Sequence, residues 1–198
     1  RKNFEALSTS LSRIIIRVMD IDAKQVTTEI WYSSQEVPLL GQDEMTFIRH
    51  EAASNQRKRS RICTHKDIDD PLHEMFIIHE KGNYIPPHKH LNKPESFHLI
   101  QGAADIIIFD NEGSITDVVP MGEYLTGKKF YYRISDAVYH SMLIQSDYLV
   151  YHEVTTGPFR REDTVFAAWA PEEKDVKSGA EYMLQLDEKI TLKQATML

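Results

Sequence analysis

The sequence predicts a mainly β protein built as an antiparallel sandwich or barrel. Between residues 75 and 154 it holds about eight short segments rich in the β-branched and aromatic residues that favour strands. Turn-forming residues separate these segments roughly every 8–12 positions, and no helical pattern lies between them, which is typical of strands that pair with their neighbours. The predicted strands are 75–80, 84–90, 95–101, 104–109, 114–120, 128–134, 140–145 and 147–154.

A strand and a helix are predicted ahead of this β region. Residues 27–32 are β-branched and aromatic, and Asp43 is placed to cap a helix that runs to about Asn55. Residues 177–192 are helical or extended, with apolar side chains available for packing. We therefore divide the chain into an N-terminal extension (1–56), a β-barrel domain (57–175) and a C-terminal extension (176–198). Ile14–Ile16 is too short, and too charged at its edges, for a signal sequence.

Composition and charge argue against several classes of function. A chain of 198 residues with 41% hydrophobic residues is large enough for one domain with its own core. A net charge of −7 argues against nucleic acid or an anionic membrane as a general partner. No apolar run reaches the roughly 18 residues that a membrane helix needs. Cys63 is the only cysteine, which fits a reducing compartment, so we expect a cytoplasmic protein.

The most specific motif is G-x5-H-x-H-x4-E-x6-G, which runs from Gly82 to Gly102. His88 and His90 are two positions apart, so on a strand they point to the same side. Glu95 follows after a short turn-like segment. Two imidazoles and a carboxylate on one face outline a site for a first-row transition metal, and His140 is placed to supply a fourth ligand. The alternative is that these histidines are structural, either hydrogen-bonded or solvated.

The run of strands together with this motif resembles the cupin superfamily, whose members are small β-barrels of the jelly-roll type. The resemblance implies a single jelly-roll-type barrel that holds one divalent transition metal ion. The ligands that it implies are His88, His90, Glu95 and, from the second cupin motif, His140. That second motif departs from the usual pattern, with Ser135 where a proline is common and Ala137 where a glycine is common.

A closer resemblance is to the WbuC family of cupin-fold metalloproteins, and it covers about residues 45–175. It is carried by Arg57, Arg59, Arg61, His65, Pro87–His90, Lys93, Glu95, Phe109, Asp110, Gly113, His140, Glu153, Gly157–Phe159 and Trp169–Glu172. Tyr139 stands where a tryptophan often precedes the last ligand. Members are often encoded with surface-polysaccharide (O-antigen) genes, which implies a role in lipopolysaccharide biosynthesis. No reaction is established for the family.

The predicted site leads to two hypotheses of function. The first is a metalloenzyme acting on a small oxygenated metabolite such as a sugar or sugar nucleotide, either as a Lewis acid in the manner of a sugar isomerase or, with iron, as a dioxygenase. The second is a non-catalytic, metal-dependent binder of a carbohydrate or carboxylate. A general acid or base near the metal would favour the first. Tyr151 and Glu153 share one face of a late strand and are the catalytic candidates, although Glu153 is equally consistent with a surface carboxylate. The sequence does not choose among Fe, Mn, Zn and Ni.

Four residues are candidates for binding a substrate. Arg59 and Arg61 belong to a basic run that either lines an anion-binding rim with His65 or pairs on the surface with the excess of acidic residues. Lys93 and Tyr132 complete the set.

Strand parity also makes predictions about packing. Phe97 and Leu99 share the parity of Glu95 and are expected to fill the barrel, whereas His98 faces away. We read His79 as structural. We expect a homodimer that pairs through sheet faces or exchanged terminal strands, with residues 27–32 as the candidate for exchange.

Overall fold

Two β-sheets and two α-helices make up residues 21–195, the part of the chain that the structure, a computed structural model, describes; side chains are described through residue 192. Ile14–Ile16 lies outside the described residues. The helices are α1 (Gln42–Ser54) and α2 (Val176–Ala195). The strands are β1 (Ala23–Gln25), β2 (Ile30–Ser33), β3 (Arg59–Cys63), β4 (Leu72–Glu80), β5 (His88–His90), β6 (Glu95–Gln101), β7 (Ala103–Phe109), β8 (Ile115–Gly122), β9 (Tyr131–Ile134), β10 (Tyr139–Ile144), β11 (Tyr148–Thr156) and β12 (Thr164–Phe166).

The strands are ordered β1-β2-β3-β4-β11-β6-β9 in the seven-stranded sheet and β12-β5-β10-β7-β8 in the five-stranded sheet. From β4 to β12 the chain alternates between the two sheets, except where β7 and β8 form a hairpin. Strands distant in sequence therefore become neighbours, as in jelly rolls. The predicted fold class, mainly β with an N-terminal helix and a C-terminal extension, is confirmed; the extension is a helix. Neither helix combines the length and the apolarity that a membrane span requires.

The main core lies between the two sheets. Parity is maintained along β6, where Phe97 and Leu99 are buried and His98 is exposed, as predicted. From the five-stranded sheet, Ile106 and Met142 face the same core. Side chains of this parity are the ones that can reach a site between the sheets.

The two helices cover the outer faces of the sheets. Ile48 of α1 packs against Ile62 and Ile78 of the seven-stranded sheet. On the other side, Leu186 of α2 packs against Ile107. Burial of these apolar faces is the main force that holds both helices in place.

Some predicted boundaries differ from the structure for local reasons. Helix α1 begins one residue before Asp43, and its N-cap is Gly41, whose N–H donates to Glu44 Oε2 at 2.7 Å. The strand predicted over residues 84–90 is reduced to His88–His90, because Pro86 and Pro87 have no N–H to donate to a neighbouring strand.

Candidate metal centre

Strand pairing brings His88, His90 and His140 together between the sheets. His140 of β10 pairs directly with His88 of β5, and His90 lies two residues further on the same side of β5. The ring centroids of His88 and His140 are 4.5 Å apart, and those of His88 and His90 are 5.0 Å apart. One nitrogen from each of the three rings lies within 4.8 Å of the others. The predicted convergence of these three imidazoles is confirmed as geometry.

Backbone carbonyls fix the orientation of two of the rings. His88 Nδ1 donates to the carbonyl oxygen of Pro86 at 2.8 Å, and His140 Nδ1 donates to that of Val138 at 2.9 Å. Since a carbonyl oxygen only accepts, Nδ1 carries the hydrogen and, in the neutral ring, Nε2 keeps its lone pair. A neutral imidazole anchored in this way is the form in which histidine binds metals in proteins.

The third ring is anchored by a side chain. His90 Nδ1 lies 3.1 Å from Thr164 Oγ1, and Thr164 is paired opposite His90 where β12 adds to the edge of β5. Sequence analysis missed Thr164. Nothing in the sequence relates positions 90 and 164 until the pairing of these two three-residue strands is known.

Glu95 brings a carboxylate to the same point from the facing sheet. Its Oε2 lies 3.1 Å from His90 Nε2, and its Oε1 lies 3.1 Å from His140 Nε2. Two donors side by side on an ion with bonds of about 2.1 Å stand about 3.0–3.4 Å apart, so this spacing suits a shared ion. His88, His90 and His140 therefore fit a group that could hold a metal ion, and Glu95, which contacts His90 and His140, is placed beside it.

Burial and neighbouring charges shift the pKa values of His88, Glu95 and His140. Burial, followed by the charges of His140 and His90, lowers the pKa of His88 to about 3, so this ring is neutral near pH 7. Burial by itself would raise the pKa of Glu95, but its contacts with His140 and His90 outweigh burial and hold that pKa well below its usual range. Burial likewise opposes protonation of His140, and the contact with Glu95 outweighs it and raises the pKa. A buried, ionised carboxylate near the neutral ring of His88 is an environment that favours a cation.

Tyr132, a predicted substrate-binding residue, is hydrogen-bonded to Glu95. Its hydroxyl donates to Glu95 Oε1 at 3.2 Å, and its ring stacks on Phe97 with centroids 5.0 Å apart. Burial, and then the charge of Glu95, raise the pKa of Tyr132 well above its usual value, so the hydroxyl stays protonated and can donate. The structure therefore gives Tyr132 a role in positioning Glu95.

Tyr151, a predicted catalytic residue, has its hydroxyl engaged in the core. The hydroxyl lies 3.0 Å from His79 Nε2, and the ring stacks on Phe97 at 4.3 Å. His79 is buried, and burial followed by the charges of Arg59 and Arg61 lowers its pKa to about 3. Its neutral ring is a packing partner of Tyr151, which agrees with the structural reading of His79. The hydroxyl of Tyr151 contacts none of the four candidate ligands.

Glu153 is the catalytic candidate with a free carboxyl group. In the register of β11 it lies opposite Met75 on one side and Phe97 on the other, which places it on the inner face. No hydrogen bond or ion pair links its carboxyl group to another described residue. Burial, and then the negative charge of Glu95, raise the pKa of Glu153 to about 7. A carboxyl group that titrates near neutrality can both donate and accept a proton.

The two predicted substrate-binding arginines have different surroundings. Arg59 Nε donates to Glu29 Oε2 at 2.8 Å, and its Nη1 donates to Glu173 Oε1 at 2.8 Å. The alternative interpretation, pairing with acidic residues, therefore describes Arg59 in this structure, and a role for Arg59 in binding a ligand stays a prediction. Arg61 shares the inner parity, but its Nε is buried and has no partner among the described residues. His65, the third residue of the predicted rim, stacks on His73 instead, with ring centroids 4.1 Å apart.

Lys93 lies in the loop between His90 and Glu95. It lines a cleft of about 290 Å³. The other residues of that cleft are Leu91, Asn92, Thr156, Gly157, Pro158, Arg160 and Asp163. This position, three residues after one candidate ligand and two before another, keeps Lys93 a candidate for contact with a bound ligand.

Comparison with known sequences gives one partial match. The profile of a domain of unknown function (DUF6016) matches residues 40–121, less than half of the chain, and this stretch contains His88, His90 and Glu95. No curated protein is detectably similar in sequence.

Solved structures with a detectable likeness include cupin-fold proteins. A cupin 2 conserved barrel domain protein from Rhodopseudomonas palustris is 12% identical with a TM-score of 0.41, over 52% of this chain and 63% of that chain. The Cnp3 cupin domain of Schizosaccharomyces pombe is 12% identical with a TM-score of 0.40, over 51% and 66%. The capsular polysaccharide assembling protein CapF from Staphylococcus aureus is 18% identical with a TM-score of 0.46, over 57% and 32%. The chain thus spans less than two thirds of each of these proteins. The resemblance to the WbuC family stays a prediction.

Proposed function

We propose that the protein is a metal-dependent enzyme of the cupin type that acts on a small oxygenated metabolite, such as a sugar or sugar nucleotide in surface-polysaccharide metabolism. The convergence of three anchored imidazoles, two of which contact the buried Glu95 carboxylate, carries this proposal. His88, His90, Glu95 and His140 would hold one ion of Fe, Mn, Zn or Ni. Such an ion supplies Lewis acidity or, if it is iron, redox chemistry.

In this proposal Glu153 holds or moves a proton for the bound metabolite. Its side chain faces the interior and forms no hydrogen bond or ion pair with a described residue, and its pKa is raised to about 7. Both protonation states are therefore populated at neutral pH, which is the condition that a general acid or base requires. Thr164 orients His90, and Tyr132 orients Glu95.

Metal content tests the first part of the proposal. Protein purified without a nickel column or chelator should contain about one transition metal ion per chain by inductively coupled plasma mass spectrometry. His90→Ala should remove most of that metal and leave the circular dichroism spectrum unchanged. His98→Ala is the matched control, because this imidazole is exposed on the opposite face of β6. Wild-type protein that takes up none of the four metals after reconstitution would refute the proposal.

A non-catalytic binding module is the second candidate, and Glu153 separates it from an enzyme. Glu153→Gln keeps the shape of the side chain but removes its titration. In an enzyme this variant should keep its metal and lose turnover, measured with sugars and small acids by product detection and, for the iron form, by oxygen consumption. A wild-type protein that binds one of these compounds without converting it, and a variant that binds it equally well, would favour the binding module.

We further propose a cytoplasmic homodimer. The single cysteine suits a reducing compartment. In the described chain β2 pairs with β1 and β3 of the same molecule, so an exchange of this segment would replace those contacts with equivalent ones from a partner. Light scattering should give twice the chain mass of 22.9 kDa, and a mass equal to one chain would refute the dimer.

A further inference from the structure

The inner wall of the seven-stranded sheet carries an arginine, Arg61, whose side chain forms no ion pair with any described residue. Arg61 shares this wall with Ile77 and Tyr151, which lie next to it across β4 and β11. Its Nε is buried without a hydrogen-bond partner, and no carboxylate of the described chain forms an ion pair with it. Leaving a guanidinium donor unsatisfied inside a protein costs free energy, so such a group indicates a partner that arrives on binding.

A comparison with Arg57 and Arg59 shows that Arg61 is the exception among the three arginines of the basic run. Arg57 and Arg59 both pair with Glu29 and Glu173. The chain therefore supplies carboxylates to the arginines at the end of this wall but supplies none to Arg61. Glu153, a carboxyl group on the same wall, forms no ion pair with it.

Lys93 adds a second cation without an ion-pair partner in the described part of the chain. It is half-buried, and its Nζ lies 5.5 Å from the centroid of the Phe159 ring. Lys93 lies two residues before Glu95, which pairs with Thr155 of β11, two residues from Glu153.

The cleft that Lys93 lines is formed by segments that follow His90 and Glu153 in the chain. Its lining begins at Leu91, one residue after His90, and includes Thr156, three residues after Glu153. Lys93 and Arg160 outnumber Asp163 among its charged residues, so a small anion is favoured there.

We propose that Arg61 and Lys93 bind the oxyanion, a carboxylate or a phosphate, of a small ligand that lies beside His88, His90, Glu95 and His140. The inference rests on the proposed function and narrows its substrate class to metabolites with an anionic group. The planar guanidinium of Arg61 can donate two parallel hydrogen bonds to two oxygens of one carboxylate or phosphate, and the ammonium of Lys93 adds a compact positive charge.

Isothermal titration of the full chain, as purified, with inorganic phosphate and with malonate tests this site. Wild-type protein should bind one of these probes with a stoichiometry of one per chain. Arg61→Gln and Lys93→Gln should each weaken binding by about 10- to 100-fold, since each removes a charge-assisted contact. Arg133→Gln is the matched control: this arginine is exposed on β9 and contacts only Ser96 and Ser135, so its loss should leave binding unchanged. The preferred probe tells whether the oxyanion is a phosphate or a carboxylate.

Three outcomes overturn the inference: no binding of either probe to wild-type protein, equal binding to wild type and to both variants, or an equal loss in Arg133→Gln. If Arg61→Gln does not fold, Arg61→Lys replaces that variant. Lysine keeps the positive charge but lacks the paired donors of the guanidinium, so binding should still weaken. Metal content measured on the same samples separates this inference from the proposed function. Wild-type protein that binds a probe but no metal would refute the metal centre and leave the oxyanion site standing.

Discussion

Thr164→Val tests the metal centre with the smallest change. His90 is the one ring of the three whose Nδ1 is anchored by a side chain, with 3.1 Å between Nδ1 and Thr164 Oγ1. Valine keeps the shape and the strand preference of threonine but removes the acceptor. Loss of such an anchor typically costs about 10- to 100-fold in metal affinity. This corresponds to about 1.4–2.7 kcal/mol.

The assay is competition for Zn²⁺ between the protein and a fluorescent chelator at pH 7.5, together with urea unfolding of the metal-free form. The metal-free stability should fall by no more than about 1 kcal/mol, because one partly buried hydrogen bond is lost. Thr116→Val is the control: it removes a hydroxyl bonded to the Ile108 carbonyl in the same sheet, and it should leave the zinc affinity unchanged. A zinc affinity within twofold of wild type in Thr164→Val would refute the claim that this hydroxyl orients His90.

Three further predictions concern buried groups around the centre. Tyr132→Phe removes the hydrogen bond to Glu95 and should weaken zinc binding by about 10-fold in the same assay, while unchanged affinity would contradict the positioning role. Burial raises the pKa of Cys63 to about 11, so its thiol should not react with iodoacetamide at pH 8 until the protein unfolds. Mass spectrometry measures the labelling, and rapid labelling of the native protein would contradict this prediction. His79, with its pKa lowered to about 3, should stay neutral in the native state while the unfolded chain takes up a proton below about pH 6.5. The contribution of neutral His79 to the free energy of unfolding is therefore fully present above pH 6.5. It is lost as the pH falls, and the loss reaches about 2 kcal/mol at pH 5. His79→Gln should flatten the loss of stability between pH 7.5 and pH 5 in urea unfolding, and an equal slope in both proteins would contradict this assignment.

Much of the fold could be predicted because strand patterns are local. The alternation of Phe97, His98 and Leu99 predicts which side chains point inward, and the structure confirms it. Two of the three shortest strands, β1 and β12, escaped prediction. Three residues hold too little of a period-two pattern to stand out from a loop, and such strands form only because an edge of a sheet is available to them.

In the candidate site, too, local features could be predicted from the sequence and long-range contacts could not. The spacing of His88, His90 and Glu95 is a local motif, and it predicts that these side chains lie close together. Arg59 and Arg61 are equivalent by residue type and strand parity. Arg59 nevertheless pairs with two carboxylates, whereas the side chain of Arg61 forms no ion pair with a described residue and its Nε has no hydrogen-bond partner there. Sequence could not separate them, because Glu29 and Glu173 lie far away along the chain.

The sequence by itself determined the mainly β class, the inward faces of the strands and three of the four candidate ligands, since each depends on backbone geometry over a few residues. Only the tertiary structure decided that Thr164 anchors His90, that the hydroxyl of Tyr151 faces His79, and that Glu153 has a raised pKa. Hydrogen-bond partners and desolvation depend on every neighbour in space. In this fold most of those neighbours come from the pairing of strands that are distant in sequence, such as β5 with β12 and β6 with β11.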